Sequence, residues 1–155
     1  MTQPNPYQGQ FRSLQLFYQS LLLPLKDSMP PEGLDYQERE EDPYWHLGHA
    51  CFDLSRVLIQ PYGRKDDLSS RYGMIFFGPN AHKPWEEQPP GWEELANWWE
   101  EVLDKIEGRL PSYEDKPQFI VTLDELKVET AGQAWDYALF HTGFHLGRIH
   151  QLIGW

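Results

Sequence analysis

The sequence predicts an all-α protein: four helices packed as one bundle, with one small β-hairpin ahead of the last helix. Three observations carry this. Four stretches repeat apolar residues at spacings of three and four. Clusters of Pro and Gly divide those stretches. One short segment, 119–128, is rich in β-branched residues. At 155 residues the chain has the length of a single domain, read as spanning 1–155.

Residues 1–10 are polar, contain Pro4 and Pro6, and are expected to fray. The first helix follows over 11–25, with Phe11, Leu14, Phe17, Tyr18, Leu21, Leu22 and Leu25 on its apolar stripe. Pro24 either kinks it or ends it just before, and Pro30–Pro31 stop it. An acidic loop then leads to a second helix, where Asp42 suits the N-cap and Pro43 the first helical position. That helix runs to about Ile59 and is closed by Pro61 and Gly63. Residues 61–90 read as a long irregular connection bordering a pocket, with a small strand at Met74–Phe77. The third helix covers 91–110, with Glu93 and Glu94 in its first turn. Trp92, Leu95, Trp98, Trp99, Val102, Leu103 and Ile106 form its stripe. Gly108 and Pro111 end it. The last helix opens with Thr130 and Gln133 at capping-box spacing and runs to the end of the chain.

Composition narrows the function. Thirteen basic against 24 acidic side chains give a formal charge of −11, which argues against a nucleic-acid backbone or an anionic membrane as partner. No apolar run approaches the ~20 residues of a membrane helix. The opening MTQPNPYQGQ has neither the basic nor the apolar region of a signal peptide, so the expected location is cytoplasmic. The single cysteine, Cys51, rules out an intramolecular disulfide and reads as core.

Five of the six histidines fall on predicted helices. His141 and His145 are four apart, offset by ~40° with a rise of ~6 Å, so both imidazoles share one face. The segment HTGFH lacks the Glu of zinc proteases, so no general base sits within the motif. The flanking residues Ala134, Ala138, Phe140, Phe144, Ile149 and Leu152 are apolar, so the helix is expected to be largely enclosed, and enclosed imidazoles need hydrogen bonds or a ligand. A catalytic metal site needs about three protein ligands. On spacing alone the third is open among His46, His49 and Asp53. His46 and His49 are ~60° apart and are not expected to point equally inward; His150, ~140° from His145, faces elsewhere. His82 belongs to the irregular segment, from which it can approach the site or remain an exposed loop histidine.

WHLGHA at 45–50 and HTGFHLGRI at 141–149 resemble the two signatures of the DinB/YfiT-like superfamily, a W-x-x-G-H segment on the second helix and H-x-x-x-H-x-G-x-I on the last. The resemblance covers nearly the whole chain in layout and about ten positions in residues. It implies an up-down-down-up four-helix bundle with a divalent metal (Zn, Ni, Mn or Fe) held in its core by His49, His141 and His145. It further implies that Gly48 and Gly147 are close-packing positions and that Trp45 packs beneath the site. Arg148 stands where the family often has Gln, which leaves the recognised substrate group open.

Such a site suits a metal-dependent enzyme, a thiol S-transferase or a hydrolase, acting on a small molecule such as a low-molecular-weight thiol. Asp53, Asp136 and Tyr137 are the candidates for proton handling, Asp53 and Tyr137 foremost as catalytic residues. Tyr137 lies one turn before His141 and is placed to hydrogen-bond a bound water. Arg56 and Arg148 could hold a substrate carboxylate or pair with local acids. The competing readings are a non-catalytic metal-binding bundle, or a small-ligand-binding bundle using Trp85, Trp92, Trp98 and Trp99. The aromatic excess and the family's habit point to a homodimer.

Overall fold

The second helix organises the molecule. In the computed structural model, which describes residues 3–33, 35–63 and 67–154 (side chains of 67–71 excepted), α2 spans Pro43–Leu58. Every residue of it except Arg56 is buried. A helix enclosed on all faces must be covered from several sides. α3 (Asp67–Phe76), α4 (Trp92–Arg109) and α5 (Ala131–Ile153) all pack against it. α1 (Gln8–Leu16) packs on both α4 and α5. Contacts therefore run α1–α5–α2–α4 and back to α1, a closed ring of four helices with α3 laid against α2. A two-stranded antiparallel hairpin, β1 (Val121–Leu123) and β2 (Leu126–Val128), precedes α5 and pairs Val121 with Val128. No helix among the described residues is long and apolar enough to cross a membrane.

The first helical segment departs from a plain α-helix. α1 ends at Leu16, and the chain continues through a π-helical turn, Phe17–Leu22, and a 3-10 stretch, Leu23–Ser28. Pro24 has no N–H to offer a carbonyl one turn back, and wide and tight turns absorb the fault. The π turn also shifts the stripe. Phe11, Leu14, Tyr18, Leu22 and Leu25 are buried, whereas Leu21 is turned out to solvent. Fraying of 1–10 does not hold from Asn5 on. Asn5 Nδ2 donates to the Leu110 carbonyl, and Tyr7 stacks on Trp135. Residues 1–2 lie outside the described residues.

The small strand expected at Met74–Phe77 is instead the end of α3 and the residue after it. Tyr72 and Phe76, one turn apart, are both buried, and packing of that face against α2 and Trp98 sustains the helix. Gly73 faces the Phe52 ring at ordinary contact distance. α4 buries all seven predicted stripe residues, and Trp99 Nε1 donates to the Leu47 carbonyl at 2.9 Å, pinning α4 to α2. Trp92, Trp98 and Trp99 are thus core residues. Thr130 caps α5 through the Gln133 N–H, and Gly154, at φ 75°, closes it in the left-handed region.

Candidate metal centre

α2 and α5 make the most extensive helix pairing among the described residues, and the histidines lie on it. Asp42 starts α2 by accepting the Tyr44 N–H. Burial pushes its carboxyl up to about 6, against the lowering effect of its bonds from Tyr44 and Trp85. From that start α2 presents His46, His49 and Asp53, all buried, to the face of α5 that carries Tyr137, His141 and His145.

His49, His141 and His145 each bring a ring nitrogen to within 4.8 Å of the other two. His141 Nε2 and His145 Nε2 are 3.0 Å apart. Trp45 stacks flat on His49, with centroids 4.6 Å apart, and donates its indole N–H to the Ile75 carbonyl, so it forms the floor expected of it. Two of the three imidazoles, His49 and His145, are fixed by bonds on their far sides. His49 Nδ1 lies 2.7 Å from the Phe76 carbonyl, which can only accept, so Nδ1 carries a proton and Nε2 is the nitrogen that faces the group. His46 Nε2 likewise donates to the Glu40 carbonyl at 2.7 Å. A neutral His46 then has a bare Nδ1, which accepts the Nδ1–H of His145 at 2.8 Å and leaves His145 Nε2 bare. Metal-binding histidines characteristically spend their second nitrogen in this way.

Burial disfavours the charged form of His46, His141 and His145. Desolvation is the largest influence on each of the three, pulling His46 and His141 down to about 4 and His145 further below the ordinary histidine range. For His141 the Asp53 carboxylate opposes that pull, while the neighbouring His49, Arg56 and His46 add to it. Neutral imidazoles need not lose a proton to bind a cation.

Asp53 and Tyr137 adjoin the group. Tyr137 stacks on His141, and its hydroxyl donates to Asp53 Oδ2 at 2.7 Å rather than standing free for a water. Burial raises the phenol's pKa strongly, the nearby Asp53 charge raises it further, and the hydroxyl keeps its proton. Arg56 Nη1 reaches Asp53 Oδ1 at 3.3 Å, with its guanidinium over the rings of Phe52 and Phe77. A cavity of about 250 Å³ opens here, lined by His49, Asp53, Arg56, Tyr137, His141 and the 77–79 and 122–124 segments.

Other candidates lie elsewhere. His82 is exposed and pairs with Glu38 and Glu40, 3.4 Å from each, so it does not approach the three histidines. Asp136 is exposed, and Arg148 donates to Gln151. Cys51 is fully buried in the core. The expected division between His46 and His49 fails, because α2 is buried all round and both rings reach the α5 histidines. Gly48 is a close-packing position: a Cβ there would overlap the Phe76 ring. Gly147 is not, since a Cβ would meet nothing within 4 Å. The carbonyls of Phe76 and Glu40 carry no mark in a sequence, since any residue supplies one.

His46 therefore acts on the site through His145. Replacing it with Phe keeps the bulk and removes the acceptor, freeing His145 to move its proton to Nε2. Metal affinity is expected to fall about 10–100-fold with unchanged helix content, as competition with a chelator would read. Searches with this chain found no matching family model, curated protein or solved structure.

Proposed function

We propose that this protein is a divalent-metal-dependent enzyme of the DinB/YfiT-like kind, a thiol S-transferase or hydrolase acting on a small molecule. The observation that carries the reading is the convergence of the His49, His141 and His145 ring nitrogens in one largely enclosed group. The ion they would hold could polarise a substrate atom or lower the pKa of a bound water or thiol. The protein's own part is to orient and to manage protons. Tyr137 keeps its proton and offers it towards Asp53, and Arg56 places a cation at the same carboxylate. The cavity beside them accommodates a small substrate or a low-molecular-weight thiol, not a polymer chain. A cytoplasmic homodimer fits this reading; Phe140 and Phe144, exposed on α5, supply apolar surface for a second copy.

A non-catalytic metal-binding bundle is the second reading. It is favoured by the enclosure of the histidines and by the hydrogen bond and ion pair that already occupy Asp53, which leave no free proton-handling group beside the ring nitrogens. Elemental analysis of untagged protein, followed by stripping and reloading with Zn, Ni, Mn or Fe, separates the two. Turnover of thiol-acceptor or ester substrates only after reloading is expected. A chain that carries no metal and takes none up would end the metal reading. A loaded chain inert to the whole panel would favour the second.

A further inference from the structure

A second cavity, of about 190 Å³, lies where the loop before α2 meets the end of α3 and the 80–89 segment. It shares no lining residue with the cavity beside the histidines. Arg39 lines it and is only 6% exposed, and burying a guanidinium is costly unless its charge and its N–H groups are answered. Nε donates to the Pro84 carbonyl at 3.2 Å and Nη1 to the Ile75 carbonyl at 3.1 Å, and the guanidinium carbon lies 5.1 Å from the centre of the Trp85 ring. These contacts fix the group without neutralising it. Among the described residues no carboxylate pairs with Arg39. Asp42, on the same loop, spends its two carboxylate oxygens on Tyr44 and Trp85. A guanidinium has five N–H groups, and those of Nη2 donate to none of the described residues. Nη2 is not one of the unpartnered atoms sealed from solvent, so it faces accessible space, and the cavity provides it.

The rest of the lining selects among anions. Lys83, exposed and also without an acidic partner among the described residues, adds a second cation. Glu86 and Glu87, both exposed, line the cavity too, and their charges oppose a multiply charged anion such as phosphate. Ile75, Trp85 and Pro89 supply an apolar wall, which an inorganic ion would leave unused and a short carbon chain would cover. The volume falls below the roughly 300 Å³ at which pockets for larger ligands begin, so only a few carbons fit. We propose that this cavity binds a small organic monocarboxylate, paired by the free N–H groups of Arg39 with Lys83 beside it. Directed N–H···O bonds to a carboxylate are what a guanidinium makes best. The site stands independently of any ion at the histidines. It nonetheless adjoins them: the Ile75 carbonyl that holds Arg39 also accepts the indole N–H of Trp45, the floor beneath His49.

Nitrogen-15 NMR of the full chain tests this, with sodium propionate as the probe and sodium phosphate and sodium chloride as separate arms at matched ionic strength. The Arg39 Nε–H and the Trp85 indole N–H report on the cavity. Saturable shifts of both signals are expected with propionate, weaker ones with phosphate and none with chloride. Arg39→Lys keeps the charge but loses the planar fork, and should weaken propionate binding about tenfold or more, read at Trp85. Lys83→Glu reverses an exposed charge and should weaken it about two- to tenfold. That variant decides the matter if the Arg39 variant does not fold. No saturation with propionate, tighter binding of phosphate, or a propionate affinity unchanged in Lys83→Glu would overturn the proposal.

Discussion

His141→Ala and His49→Ala are each expected to abolish metal retention while leaving the helices intact. Each removes one of three imidazole donors, and the lost affinity should exceed the ~10–100-fold typical of outer partners. The fold should survive for different reasons. His141 is partly exposed on a helix whose buried face is carried by Ala134, Trp135, Ala138 and Ile149. His49 gives up one hydrogen bond to the Phe76 carbonyl, worth about 1 kcal/mol, within an α2 held by many other contacts. Metal content after gel filtration, read beside far-UV circular dichroism, measures both halves. Wild-type occupancy in both variants would show that these residues do not hold the ion.

Gly48→Ala is expected to damage both stability and the site. The added methyl would overlap the Phe76 ring, which is fully buried between Tyr72, Trp85 and Trp98 and has no free direction to move. Overpacking of this kind costs about 1–3 kcal/mol, more than the roughly 0.5–1 kcal/mol that Ala gains over Gly within a helix. Relief requires α3 to shift, and α3 carries the carbonyl that fixes the His49 tautomer. Metal affinity should therefore fall together with thermal stability. Gly147→Ala is the control on the same principle. Its Cβ enters open space, so the propensity gain stands alone and the melting temperature should rise by about 1–4 °C. Thermal melts of the two metal-free variants should move in opposite directions.

The parts of this structure written in side-chain periodicity were legible in the sequence. The stripe Trp92–Ile106 buries as its spacing predicts, and so do the caps at Asp42 and Thr130 and the hairpin before α5. Positions set by backbone were not. The π turn at Phe17–Leu22 responds to a proline lying beyond it, and α3 is sustained by packing against α2 and α4 across a glycine that weakens its local signal. At the site, the spacing of His141 and His145 already placed them on one face, while spacing left His46, His49 and Asp53 as alternatives. The structure shows why no choice among them was needed. An exposed helix has one inward face, but α2 is enclosed by α3, α4 and α5, and three polar side chains from successive turns all find buried partners. His46 thus supports His145 from behind, a role fixed by a carbonyl of Glu40 that no residue type announces.

The central claim is that one cation is held between α2 and α5. Anomalous diffraction from crystals of chelator-stripped protein reloaded with Zn, Mn or Ni locates such an ion without assuming its ligands. The account predicts a single strong peak among the facing nitrogens of His49, His141 and His145, within bonding distance of all three. No peak there, or one confined to the surface group of Glu38, Glu40 and His82, would contradict it.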